Sequence, residues 1–353
     1  MIERRVPRRG NLGSLAATAT IPIPGCGRSA SGTRPLTRRA PTTGTRNIGR
    51  VPLTVPSASV RVRVPAKVNL HLGVGPLRRD GYHELITVFQ AVDLYDEVLA
   101  HEAHGLELTV TGESGGVPAD DRNLAWRAAS LLAEHAQVAP HVRLELTKNI
   151  PVAGGMAGGS ADAAATLVAC TELWRTGTTR AELVKLAAQL GSDVAFCLLG
   201  GTALGTGRGE VLAPVLSVGT FWWVFALAEG GTSTPEAYAE LDRQRGPRPA
   251  VLRTPDGLLD ALRAGDTLAL ANSLSNDLQA AAISLRPELR KTLAAGREHG
   301  ALASIVSGSG PTCAFLTEDR DDAIRIAAAL AADEVCRTTR VASGPVHGAR
   351  VSR

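Results

Sequence analysis

Between residues 60 and 72 the chain reads Val-Arg-Val-Arg-Val-Pro-Ala-Lys-Val-Asn-Leu-His-Leu, an alternation that predicts a strand interrupted near Pro65. Residues 141–148 alternate likewise, with Val142, Leu144 and Leu146 on one face, and residues 84–89 read as a third strand. Residues 161–173 are rich in Ala and Leu and free of Gly and Pro, which predicts a helix; residues 180–190 form an amphipathic one. The longest strongly apolar run is Phe221-Trp-Trp-Val-Phe-Ala-Leu-Ala228. Eight residues suit a buried strand, against the roughly 20 that a membrane-spanning helix needs. Strand-like segments at 301–306 and 312–316 flank a Ser/Gly turn. These signals alternate irregularly, so the fold class is α+β rather than a regular doubly wound sheet. With 353 residues there is material for one large domain or two ordinary ones.

Charge changes the picture at one end. Residues 1–57 carry ten Arg, no Lys and one acid, Glu3, a net of +9, and lack a hydrophobic period, so a disordered, dispensable extension is expected. The rest holds 28 basic and 33 acidic residues, net −5, which argues against a nucleic-acid-binding surface on the folded body. The weakly apolar stretch within residues 1–26 is broken by Gly13, Thr18, Thr20, Pro22 and Pro24, which argues against export; the scarcity of acids also resembles an organellar transit peptide. Five cysteines are never spaced Cys-x-x-Cys, and eight histidines form no His-x-x-x-His pair. Neither a disulfide framework nor a structural metal site is expected, and the protein is read as cytoplasmic.

Chemistry concentrates in four clusters. The first is Pro151-Val152-Ala153-Gly154-Gly155-Met156-Ala157-Gly158-Gly159-Ser160-Ala161, a glycine-rich loop between a strand and a helix. It is either a tight turn into a buried helix or a phosphate cradle, in which backbone N–H groups and the helix dipole hold an anion. Ser160 or Asp162 suits the N-cap. No Gly-x-x-x-x-Gly-Lys-Ser/Thr or Gly-x-Gly-x-x-Gly is present, so any nucleotide here is held by a different architecture. The second cluster pairs Lys67, one of only four lysines, with Asp193 in Leu-Gly-Ser-Asp193-Val, at the exit of the 180–190 helix. Each alone reads as a surface or turn residue; together they would hold each other ionised. The third is Asp80-Gly-Tyr82-His83-Glu-Leu, a turn carrying one of three tyrosines. The fourth is Ser307-Gly-Ser-Gly-Pro-Thr312, a bare hairpin connection or a further source of backbone donors.

In order, these clusters resemble the GHMP kinase superfamily, from about Val60 to about Val341. Pro-Ala-Lys67-Val-Asn69-Leu, Asn149-Ile-Pro151 through Asp162-Ala-Ala, Gly-Thr-Gly-Arg-Gly-Glu210 and Ser275-Asn-Asp-Leu278 belong to the match. The Gly-Tyr-His and Gly-Ser-Asp-Val elements resemble members acting on a cytidyl substrate. The resemblance implies a two-lobed fold: a ribosomal protein S5 domain 2-like N-terminal lobe (58–214), with a left-handed β-α-β phosphate unit, and a ferredoxin-like C-terminal lobe (215–345). A tail, 346–353, follows. It implies ATP and Mg²⁺, with residues 151–161 around the phosphates and Ser160 near the metal. Asp193 would be the catalytic base and Lys67 its charged partner. Tyr82 and Tyr238 would sandwich the cytosine, His83 would hydrogen-bond its edge, and Asn69 would position the substrate. The partner is then a small-molecule cytidyl substrate, without nucleic acid or membrane, and the chain a monomer or homodimer. Homoserine- and mevalonate-type kinases, a silent ligand sensor and an Arg-tail nucleic-acid binder remain as rivals. Two departures stand out. Ala195 replaces a frequent Pro, which is expected to loosen the turn carrying Asp193. Ala153 and Ala157 stand where Gly is frequent, so they are expected outside the left-handed region.

Overall fold

The computed structural model describes residues 58–152, 154–248 and 250–352; the Arg-rich stretch 1–57 and Ala153 lie outside the described residues. The first sheet is built on a long hairpin. Strands β1 (Ser59–Leu77) and β2 (His83–Glu102) pair antiparallel from Ser59↔His101 to Leu77↔His83. Pro65 does not end β1. It pairs with Tyr95 while Ala66 pairs with Val92, so Asp93 and Leu94 bulge out of β2. A bulge absorbs proline's missing N–H and re-aims the residues beside it.

Next comes a β-α-β unit of β3 (Leu106–Gly112), α1 (Leu124–Ala136) and β4 (Val142–Lys148). Its two strands are adjacent and parallel, and β4 also pairs antiparallel with β2. Helix α2 (Gly158–Trp174) has no single apolar face because it is packed nearly all round, with Ala161, Ala163, Ala164, Ala165 and Leu167 fully buried. Helix α3 (Arg180–Leu190) begins in a Thr179/Glu182 capping box, and α4 (Ser192–Leu199) follows across Gly191. Strand β5 (Thr202–Thr206) pairs with β2 and forms a hairpin with β6 (Val211–Pro214).

The second sheet opens with β7 (Phe221–Leu227), buried except at Trp222. Five helices follow: α5 (Thr234–Arg245), α6 (Asp256–Ala264), α7 (Thr267–Ser273), then, after the short β8 (Ser275–Asn276), α8 (Gln279–Leu285) and α9 (Leu289–Glu298). The lobe closes with β9 (Ala303–Val306), β10 (Cys313–Thr317), α10 (Arg320–Ala332) and β11 (Thr338–Gly344). The order β11-β7-β10-β9, antiparallel throughout, is the ferredoxin-like arrangement expected from the sequence. The chain then returns. Strand β8 pairs parallel and β12 (Arg350–Val351) antiparallel with β1, so the chain end completes the first sheet. One core spans both sheets, with Val62, Leu144 and Leu146 in the same buried cluster as Trp223 and Phe225.

Candidate active site

A cavity of about 460 Å³ is lined by residues of all four sequence clusters, the third contributing Leu85 but neither Tyr82 nor His83. Lys67, on β1, is only 4% exposed, and its ammonium donates to Asn69 Oδ1 at 2.6 Å. Asn69 Nδ2 donates to Thr87 Oγ1 at 2.9 Å, and that hydroxyl donates to His71 O at 2.7 Å. The relay locks the Lys67 side chain. Asn69, expected to hold substrate, is thus engaged with Lys67. Asp193 Oδ2 lies 3.7 Å from Lys67 Nζ and keeps a third of its side-chain surface open. Asp193 does not sit at the exit of α3. It occupies the first turn of α4, where the helix dipole favours a carboxylate. Ala195 is buried within that same helix, which forms without proline.

The glycine loop adjoins Lys67, whose N–H donates to Met156 O at 3.3 Å, and lines the cavity through Pro151, Gly154, Gly155, Ala157, Gly158, Gly159 and Ser160. Val152 is exposed beside two neighbouring cavities, and Met156 and Ala161 are buried in the core. Two expectations fail here. The N-cap of α2 is neither Ser160 nor Asp162 but Ala157, with no side-chain cap bond; and Ala157 is left-handed, at φ 61°. The physical reason is shared. A side-chain cap would consume the N–H groups that an uncapped first turn leaves open. Gly155 (φ +75°) presses its backbone against the Ser307 carbonyl, where a Cβ would collide, and Ser307 Oγ donates to Gly155 O at 3.1 Å. Asn276 Nδ2 in turn donates to Val306 O and Gly308 O, both at 2.8 Å, so the Ser275-Asn-Asp motif, paired with β1, holds the Ser/Gly turn that Ser307 ties to the loop.

Sequence reasoning missed the charged network behind this loop. Lys148, 2% exposed, donates to Asp96 and, at 2.6 Å, to Asp162 Oδ2. Asp96 Oδ1 accepts from the N–H groups of Asn149 (2.6 Å) and Ile150 (2.8 Å), at the loop's entry. One buried cation faces two buried carboxylates. Burial raises the Asp162 carboxyl against the opposing pull of Lys148, and Asp162 Oδ1 has no partner among the described residues. A signal was present: the alternation burying Val142, Leu144 and Leu146 continues inward to Lys148.

At the cavity's far end stands Tyr238, on α5. Burial, with the Asp193 charge adding, raises its phenol well above the usual range. His83 stacks on Tyr238 at 5.2 Å and 25°, and its Nε2 lies 3.0 Å from Asp242 Oδ1. Tyr82 is 55% exposed, and the Arg208 guanidinium lies 4.8 Å from its ring centroid. Arg208 also lines the cavity, a position that its motif alone does not reveal.

Among the described residues no three His, Cys, Asp or Glu side chains gather as a metal site. Mg²⁺ in phosphoryl-transfer sites keeps waters and is held through substrate phosphates with one or two protein ligands. The Ser160 hydroxyl, on the first turn of α2, is the donor of fitting chemistry on this wall.

Two family models match the chain, GHMP kinases N terminal domain over residues 123–201 and GHMP kinases C terminal over 258–335, and with this fold and cavity they define a small-molecule kinase of the GHMP class. The chain is 60% identical over 299 residues to 4-diphosphocytidyl-2-C-methyl-D-erythritol kinase of Salinispora tropica (84% of this chain, 95% of that one). It is 59% identical over 302 residues to the enzyme of that name from Mycolicibacterium gilvum (84% and 94%). A crystal structure of 4-(cytidine 5'-diphospho)-2C-methyl-D-erythritol kinase superposes with a TM-score of 0.67 at 35% identity, covering 80% of this chain and 98% of that one. The chain belongs to the 4-diphosphocytidyl-2-C-methyl-D-erythritol kinase family.

Proposed function

We infer that this chain transfers the γ-phosphoryl group of ATP to the C2 hydroxyl of 4-diphosphocytidyl-2-C-methyl-D-erythritol, giving the 2-phosphate and ADP for isoprenoid precursor synthesis. One observation carries the reading: the Lys67–Asp193 pair, at 3.7 Å, lines the same cavity as the uncapped N-terminus of α2. Phosphoryl transfer needs positioning and charge neutralisation more than covalent chemistry from the protein.

In this reading the first-turn N–H groups of α2 and the loop amides from Gly154 to Ser160 hold the β- and γ-phosphates. Asp193 accepts the C2 hydroxyl proton as its oxygen bonds to the γ-phosphorus and the bond to the β-phosphate oxygen breaks. Lys67, held by Asn69 and Thr87, keeps Asp193 ionised and faces charge developing on the transferred group. Mg²⁺, with Ser160 among its ligands, would neutralise the phosphate oxygens. Tyr238 stacks on the cytosine with Tyr82 opposite, and His83, oriented by Asp242, addresses its polar edge.

The test is an ADP-release assay on the full chain with Mg-ATP and 4-diphosphocytidyl-2-C-methylerythritol, beside homoserine and mevalonate. Turnover with the cytidyl acceptor alone is expected. Turnover with homoserine or mevalonate instead, or ATP binding without any turnover, would refute the assignment.

A further inference from the structure

The Gly207-Arg208-Gly209 turn between β5 and β6 is built against the acceptor end of the cavity. Gly207 and Gly209 both take positive φ, +71° and +97°, and a Cβ on Gly207 would meet Glu210 Oε2 at 2.9 Å. Gly207 O accepts from Leu85 N at 2.7 Å, which ties the turn to the strand that begins at His83. Glu210 Oε2 accepts the Arg208 N–H at 2.6 Å, closing the turn on itself. The guanidinium rests on the ring of Tyr82. Its ion pair among the described residues is a long one, Nε to Glu210 Oε1 at 3.6 Å, and its terminal nitrogens donate no hydrogen bond there. The side chain is 34% exposed.

The cavity wall carries two cations, Lys67 and Arg208. Lys67 is engaged by Asn69 and Asp193. The helix α2 N-terminus lies on the nucleotide side of the reading given above. Arg208 is therefore the cation on this wall with hydrogen-bonding capacity to spare. Its planar fork, already oriented by stacking, matches paired phosphate oxygens.

We propose that Arg208 is the specificity-determining cation of the acceptor site, pairing with the diphosphate that links cytidine to the alcohol. The proposal rests on the cytidyl-acceptor reading. It explains why a Gly-Arg-Gly turn stands beside Tyr82: the fold aims a charged fork next to the ring proposed to hold the base.

Calorimetric titration of the full chain with cytidine, CMP and CDP separates base recognition from phosphate recognition. The unaltered chain is expected to bind CDP more tightly than cytidine. Arg208→Met should cut that preference by roughly 10–100-fold, the range for a charge-assisted contact, while the cytidine affinity stays put. Arg208→Lys, which keeps charge without the fork, should restore part of it. The KM for ATP should not move in either variant. A CDP-to-cytidine ratio unchanged in Arg208→Met overturns the proposal and leaves the acceptor reading standing. An unaltered chain that binds none of the three ligands overturns both.

Discussion

Replacing Lys148 by methionine keeps most of the side-chain volume and removes the charge that two buried carboxylates share. Asp96 would retain the N–H groups of Asn149 and Ile150, but Asp162 would lose its hydrogen-bond donor, its other oxygen being already unpaired. Breaking a buried pair by deleting one partner typically costs about 3–5 kcal/mol, because the remaining charge is left in low dielectric. For a folded body of roughly 300 residues, unfolding with an entropy of about 2.1 cal/mol/K per residue, that is a fall in Tm of roughly 5–8 °C. Urea unfolding followed by tryptophan fluorescence, with thermal melting beside it, measures the loss. Since Lys148 and Asp162 flank the glycine loop in sequence and Asp96 holds the N–H groups at its entry, the KM for ATP should also rise.

Asp162→Asn is the control that gives the argument its sign. Burial raises the Asp162 carboxyl from 3.8 to about 7, Lys148 opposing and Asp96 adding. Between those values the folded chain holds a proton that the unfolded chain has released, so this group lowers stability as pH rises toward 7, with the full penalty above. Asn carries no such penalty. The stability of Asp162→Asn relative to the unaltered chain should therefore rise between pH 5 and pH 8, while Lys148→Met loses heavily at pH 8. Equal losses in the two variants at pH 8, or a loss in Lys148→Met under about 1 kcal/mol, would refute the reasoning, since a surface-like pair contributes no more than that.

Three further outcomes are expected. Asp193→Asn should lower kcat by about 10²–10⁴-fold, the usual reach of a general base, with ATP affinity by calorimetry essentially unaltered; near-normal turnover would remove Asp193 as the base. Tyr238→Ala should raise the KM for the cytidyl acceptor by roughly 5–150-fold, from about 1–3 kcal/mol of stacking, and Tyr82→Ala should also raise it more than the KM for ATP. Equal effects on both substrates would place these rings outside the base site. Ala157→Gly should stabilise the chain by about 0.5–1 kcal/mol in urea unfolding, by relieving a left-handed alanine; a loss of stability would show that the Ala157 methyl group contributes more than the strain.

What the sequence determined by itself is what depends on neighbours within a turn or two. The period of two over 141–148, the Ala/Leu helix after the glycine loop, the amphipathic helix over 180–190 and the apolar run from 221 all emerge as the elements that form. Their signals are local: side-chain periodicity and N–H groups seeking partners a few residues away. Motif resemblance brought Lys67, Asp193, Tyr82 and Tyr238 onto one page, but not their geometry. Tertiary structure alone decided that Asn69 holds Lys67, that Pro65 bulges β2 instead of ending β1, and that Ala157 turns left-handed to leave the α2 N–H groups open. It alone joined Lys148 to Asp96 and Asp162, and set Arg208 on Tyr82. Each of these rests on strand register or on packing between segments far apart in the chain. Register is fixed by which faces are buried together, and a local pattern names a face without naming what will cover it.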